Sequence, residues 1–319
     1  MREMRSLMCC AALLAAGVGA GSAGADGLPV LGVDAGGTGV LAHSGGARYV
    51  TVPANGDTVV ARVNPHSGRI LASRLLGGTF TIPAVAYDGS AGGLSADGRM
   101  LVLIQPRVSF PRAQTALLVV DAQPLRALRT VRLRGDFSFD AISPRGSLVY
   151  LIEYTSPTDP TSYRVRAYDL GADRLLAQPV VDPREPGEKM GGSPLTRATS
   201  PDGRWAYTLY DGAAKTPFVH ALDTSTRSAR CIDLDALAGT DLSRLRLYVD
   251  AAADTLTVSR SQSAVVVIDT RSFRTSSPSE PAAFPWQPVA GSSAAALAAA
   301  GALCLVLVRR RPQQPALVQ

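Results

Sequence analysis

One short design recurs along this chain, and it limits the fold more than any other feature. GGLSADGRMLVLI (92–104), DAISPRGSLVYLI (140–152) and RATSPDGRWAYTL (197–209) share it. In each, an apolar strand leads to Ser-(Pro/Ala)-(Asp/Arg)-Gly, and a second apolar strand follows. Glycine supplies the positive φ of a tight turn, and Pro or Asp presets the entry. LAHSGGARYVTV (41–52) and LYVDAAADTLTV (247–258) are weaker copies. A second hairpin follows every copy, within 59–76, 116–133, 163–181, 218–234 and 264–276. Asn64, Asp121, Asp169, Asp223 and Asp269 open its turn at intervals of 46–57 residues. An Asp or Asn there accepts hydrogen bonds from the backbone just ahead of it, so these side chains read as structural.

Four strands per unit in five units is the arithmetic of an all-β propeller of about five blades. SPDGRWAYTLYD and VVVIDTRSFRT carry a further likeness. With them the chain resembles the YVTN-type, WD-repeat-like propellers of bacterial surface proteins over about residues 39–277. The resemblance implies the fold and leaves function open, because propellers host enzymes, receptors and scaffolds alike.

The two ends locate the chain. Arg2 and Arg5, an apolar run to about Ala20, and Ala23-Gly24-Ala25 make the three parts of a secretory signal peptide, cleaved near Ala25. Cys9 and Cys10 begin the apolar run rather than follow it, which is the wrong place for a lipoprotein. Val289 to Val308 are 20 residues without a charge, after Trp286 and before Arg309, Arg310 and Arg311. That length spans a bilayer, and positive residues stay inside. The expected organisation is a signal peptide (1–25), an extracytoplasmic propeller (26–277), a Pro/Ser-rich stalk (278–288), a membrane helix (289–308) and a cytoplasmic tail (309–319). The chain is thus expected in the cytoplasmic membrane, single-pass, with its N-terminal domain outside.

The formal charge of +6 is a product of the ends. Without Arg2, Glu3, Arg5 and the three tail arginines, 27 basic and 25 acidic residues remain. No basic stripe is left, so nucleic acid is not an expected partner. Arginine outnumbers lysine 30 to 2, which reads as coding bias of a high-GC genome. After cleavage only Cys231 and Cys304 remain, and Cys304 lies in the membrane span. No intrachain disulfide is expected, and Cys231 reads as a small core residue.

LGVDAGGTGV (31–40) looks like the phosphate-binding hairpin of sugar kinases, but a lone glycine-rich match is weak. It runs directly into the first repeat, and no adenosine-binding βαβ organisation follows. It reads as a lead-in strand and loop.

The strand order sends the short Ser-x-x-Gly and Asp-Thr turns to one face and the long connections to the other. These connections are 77–93, 105–114, 153–162, 182–194 and 233–244. Long loops on a rigid scaffold are where binding residues gather. Aromatics and arginines anchor interfaces, so Phe80, Tyr87, Arg107, Phe110, Arg112, Tyr154, Tyr163, Arg184 and Lys189 are the candidates for a protein or glycan partner. A carboxylate pair of the glycosidase kind is the alternative. Asp88, Asp136, Asp140, Asp159, Glu185 and Glu188 could supply it, though no spacing singles out two. His43, His66 and His220 sit in different hairpins without metal-ligand spacing, no G-x-S-x-G surrounds a serine, and no cofactor motif is present.

Overall fold

The computed structural model describes residues 39–278 except 188, 189, 215 and 253. The leader, the Gly-Gly-Thr segment up to residue 38, the stalk beyond 278, the membrane span and the tail lie outside the described residues. Among the described residues no helix is long and apolar enough to cross a membrane.

Five antiparallel meanders follow one another. The first sheet holds β1 (Val40–Leu41), β2 (Arg48–Ala54), β3 (Asp57–Val63) and β4 (Ile70–Leu76). The second holds β5 (Met100–Ile104), β6 (Gln114–Asp121) and β7 (Arg126–Arg134). Its inner strand is reduced to a bridge between Leu94 and Leu101. The third holds β8 (Phe137–Ile142), β9 (Leu148–Tyr154), β10 (Tyr163–Asp169) and β11 (Arg174–Val180). The fourth holds β12 (Pro194–Thr199), β13 (Trp205–Tyr210), β14 (Phe218–Asp223) and β15 (Ser228–Asp233). The fifth holds β16 (Leu245–Asp250), β17 (Thr255–Arg260), β18 (Ser263–Asp269) and β19 (Thr275–Ser276). This is the propeller architecture that the repeats predict, with the second blade short of a full inner strand.

Burial follows position in the series. β6 reads TALLVV because both faces of its sheet are covered, and all six residues are buried. β16 alternates buried and exposed because its sheet is covered on one side. Separate apolar cores join the first sheet to the second, the second to the third, the third to the fourth and the fourth to the fifth. Among the described residues no such core joins the fifth to the first. The face of the first sheet turned away from the second accordingly leaves Leu41, Val52, Ile70 and Leu75 exposed.

The two turn types are built as their residues dictate. Ser95, Ser143 and Ser200 each accept a hydrogen bond through Oγ from the amide that begins the next strand, at 2.8–2.9 Å. Each also accepts through its carbonyl from the glycine amide three residues on. Asn64, Asp169, Asp223 and Asp269 each take two backbone amides on one side-chain oxygen, and Asp121 takes one. These side chains are occupied in holding the outer turns.

Glycine is needed for two separable reasons. Gly98 and Gly203 have φ of +68° and +72°. A Cβ on Gly98 would meet nothing nearer than Gln123 at 4.0 Å, whereas on Gly203 it would lie 2.5 Å from Ala96 Cβ in the second blade. Gly98→Ala should therefore cost about 1 kcal/mol for backbone strain alone. Gly203→Ala should cost roughly 2–4 kcal/mol, since forced overpacking is added. Urea unfolding of the two variants checks this; equal losses would mean that the blades separate freely at this contact.

Candidate functional site: an aromatic pocket on the long-loop face

The connection 77–93 does not stay on the rim. It turns inward across the inner strands, and the amides of Tyr87 and Asp88 donate to the carbonyls of Pro194 and Leu195 at 2.9 and 3.1 Å. Asp88 reaches Arg246 of the fifth sheet at 3.8 Å. This inward run divides the centre. On the side of the Ser-x-x-Gly turns lies a central channel of about 340 Å³, lined by residues of the first four blades including His43, Asp140 and Arg197. On the long-loop side lies a smaller recess of about 40 Å³, open at its mouth, between the third and fourth sheets.

The second cavity is walled by Val85, Tyr87, Phe139, Ile152, Tyr154, Tyr163 and Tyr210, with Pro160, Thr161 and Gly192–Pro194 at its rim. The rings are held in a continuous series. Phe110 meets Tyr154 edge-on at 5.5 Å, Tyr154 meets Tyr163 at 6.3 Å, Tyr163 meets Tyr210 at 6.0 Å, and Tyr210 stacks on Phe218 at 5.2 Å. The hydroxyls are tied back: Tyr154 donates to Ser138 Oγ at 3.1 Å and Tyr163 to the Gly192 carbonyl at 3.1 Å. Burial holds these phenols protonated, pushing Tyr154 up to about 12 and Tyr163 and Tyr210 well above their ordinary value. The negative charge of Asp140 adds to the upward push on Tyr163 and Tyr210.

Asp140 is the one carboxylate among the described residues lining either cavity. A break in strand register between Phe139 and Ala141 places it there. Its Oδ1 accepts from Arg197, and its carbonyl accepts a second bond from the same guanidinium at 2.8 Å. Its side chain is buried, yet Oδ2 has no hydrogen-bond partner. Behind it lies His220, buried and held neutral, its pKa pushed down to about 4 chiefly by burial.

The sequence candidates fall into three groups. Tyr87, Tyr154 and Tyr163 line the pocket. Arg107, Phe110 and Arg112 support it from beneath. Arg107 makes a two-pronged pair with Asp136 (2.6 and 3.0 Å) and lies 4.8 Å from the Tyr154 ring centre. The Arg112 guanidinium lies 3.2 Å from Asp136 and donates to the Gln105 and Phe137 carbonyls. Burial, and then the charge of Arg107, lower its pKa to about 10. Phe80 and Arg184 are elsewhere: Phe80 packs on the core between the first two sheets, and Arg184 binds Asp182 at 2.5 Å and the Cys231 carbonyl at 3.0 Å. Lys189 and Glu188 lie outside the described residues. Cys231 is half-buried rather than a core residue, and its amide donates to Asp182. Tyr210 and Phe139 were not among the candidates. Tyr210 carries a signal nonetheless, because it ends the second strand of its repeat as Tyr154 does.

Three of the other candidate carboxylates have structural partners. Asp88 accepts from the Ser90 amide and hydroxyl, Asp136 from Arg107 and Arg112, and Asp159 from Thr161 in its own exposed turn. The glycosidase arrangement needs a second carboxylate beside Asp140, and the lining supplies none. Among the described residues there is no group of three or more His, Cys, Asp or Glu that could hold a metal ion. Chemically, the pocket offers flat apolar walls and one carboxylate in its lining.

No protein-family model matches the chain, and no curated protein matches it. Solved structures with similar backbones include a functionally unknown protein from Desulfotomaculum acetoxidans (TM-score 0.46, 13% identity, 75% of this chain and 68% of that one). Others are the β-propeller domain of Myceliophteria thermophila Cps50 (Swd1) (0.42, 12%, 77% and 69%) and TolB from Acinetobacter baumannii (0.40, 12%, 75% and 53%). Similarities this distant leave the function to be argued from the pocket itself.

Proposed function

We propose that this chain is a membrane-anchored, extracytoplasmic propeller that acts as a binding module through its long-loop face. The observation that carries the reading is the concave aromatic pocket between the third and fourth blades. It is a small recess with mostly apolar, aromatic walls and one carboxylate in its lining. The module is held outside the membrane by the span 289–308, so its partner is a protein or glycan of the cell envelope. A binding role suits a site whose one carboxylate is already engaged by Arg197.

The test is crosslinking of the tagged full-length chain in intact cells, comparing wild type with Thr161→Arg. Thr161 lies at the pocket rim, and arginine there fills the mouth without touching a core residue. Capture should fall at least about tenfold, the equivalent of roughly 1.4 kcal/mol. Unchanged capture would take the pocket out of the account.

A further inference from the structure

The near balance of charge over the whole domain hides an uneven division. Residues 39–136, the first two blades, hold 11 arginines against 5 aspartates, whereas residues 137–277 hold 16 basic against 17 acidic residues. Three of the arginines are exposed where the outer strands of the two blades face each other. On β7, Val131 and Leu133 point into the core shared with the third sheet, so Arg132 and Arg134 point the other way, toward the first sheet. On β4, Ala72 and Leu76 pack toward the second sheet, and Arg74 lies between them on the same side. Among the described residues none of the three has a hydrogen-bond or ion-pair partner. The aspartates of these blades are engaged elsewhere: Asp57 accepts the Gly78 amide, Asp88 the Ser90 amide, Asp97 the Arg99 amide and Asp136 its two arginines, while Asp121 lies 3.9 Å from Arg126.

We propose that this outer flank of the first two blades lies on an anionic phospholipid surface, with Arg74, Arg132 and Arg134 on lipid phosphates. The proposal rests on the reading of the chain as membrane-anchored, and it adds a second contact surface to the long-loop face. Like charges gathered without counter-charges repel one another, and an anion placed among them turns that cost into attraction. Guanidinium groups pair with phosphate in two-pronged fashion.

The neighbouring side chains select the kind of anion. Ile70, Leu75 and Leu128, on the same two strands, are exposed. Neither strand carries an aromatic residue, the usual anchor of a protein interface. At a bilayer surface an arginine lays its stem along apolar groups and keeps its charged end among the phosphates, so arginines interleaved with aliphatics suit that boundary. A small soluble anion would meet the arginines and leave the aliphatics in water. A chain held at the membrane also presents this flank to lipid at high effective concentration, so a modest intrinsic affinity suffices.

The experiment places the full-length protein in nanodiscs of phosphatidylcholine, alone or mixed equally with phosphatidylglycerol. A photoreactive residue stands at position 128 on β7, or at position 226 in an exposed outer turn of the fourth blade. Lipid adducts are read by mass spectrometry. Position 128 should give about tenfold more adduct in the anionic discs than in the neutral ones, and position 226 should show no such difference. In the anionic discs, Arg132→Glu with Arg134→Glu should lower the adduct about tenfold, and Arg132→Gln with Arg134→Gln should lower it less. Raising the salt from about 0.1 M to about 1 M should also suppress it, because screening shortens to roughly 3 Å. The proposal is overturned if position 128 gives equal adduct in both discs. It is overturned equally if charge reversal changes nothing in a variant with an unaltered urea midpoint, or if soluble polyglutamate binds through Arg132 and Arg134 while the discs give no adduct. Retention in neutral discs tests the anchor separately: a chain lost from them that still binds anionic discs through Arg132 and Arg134 would remove the anchor and keep the flank.

Discussion

Asp136→Asn should destabilise the protein by about 3–5 kcal/mol, more than any single change at the pocket wall. Asp136 and Arg107 are nearly fully buried, with side chains 2% and 3% exposed, and Arg112 at 10% shares the same carboxylate. Neutralising Asp136 leaves two guanidiniums inside without a counter-charge, the situation in which breaking a buried pair is most costly. Asp136 also accepts the Arg112 backbone amide at 3.0 Å, so it ties the 105–114 loop to the start of the third blade. Replacing Arg107, Arg112 and Asp136 together by apolar residues of similar volume should cost far less than Asp136→Asn alone. Urea midpoints at constant slope measure both. A loss below about 1 kcal/mol for Asp136→Asn would mean that water reaches the pair.

Acid should weaken the fold through His220. In the unfolded chain this imidazole takes a proton near its ordinary 6.5; in the fold, burial postpones protonation to about 4. Between those values the unfolded state binds more protons, so stability falls as pH falls through this window. The shift corresponds to up to about 3 kcal/mol at its lower end. Asp140 and Asp182 favour the charged form and Arg197 opposes it, but burial dominates. His43, whose pKa is also lowered by burial, adds a smaller slope of the same sign. Asp182, lowered to about 2 by its bonds to Arg184 against the opposing effect of burial, acts below the window. His220→Gln should therefore show a smaller stability loss between pH 7 and pH 4.5 than the wild type. Identical pH profiles would show that His220 is solvated.

The fold was legible because the signal was periodic. Ser-x-x-Gly and Asp turns repeat with their strands, and each does in the structure what its chemistry requires. The missing inner strand of the second blade could not be read, because the segment around Leu94 is as apolar as its counterparts. The exposed outer face of the first blade was hidden too, since Leu41, Val52 and Ile70 look like core residues until the neighbouring sheet is seen to be on the other side.

The site was legible in part, and the repeats held more than individual residue types did. Only the third and fourth units have an aromatic both at the end of the second strand and at the start of the third: Tyr154 with Tyr163, and Tyr210 with Phe218. That pairing marks the two blades flanking the pocket. Arg107 and Arg112 have the chemistry of surface anchors, but their depth is set by Asp136, 24 and more residues away. Asp140 owes its place to a register break that leaves no mark in the sequence.

The most direct test of the central claim is site-specific photocrosslinking in intact cells. A photoreactive residue is placed at position 161 on the pocket rim or at position 145, in an exposed turn of the opposite face. The account predicts a discrete crosslinked species from position 161 and none from 145. The same species from both positions, or from 145 alone, would contradict a binding module that works through its long-loop face.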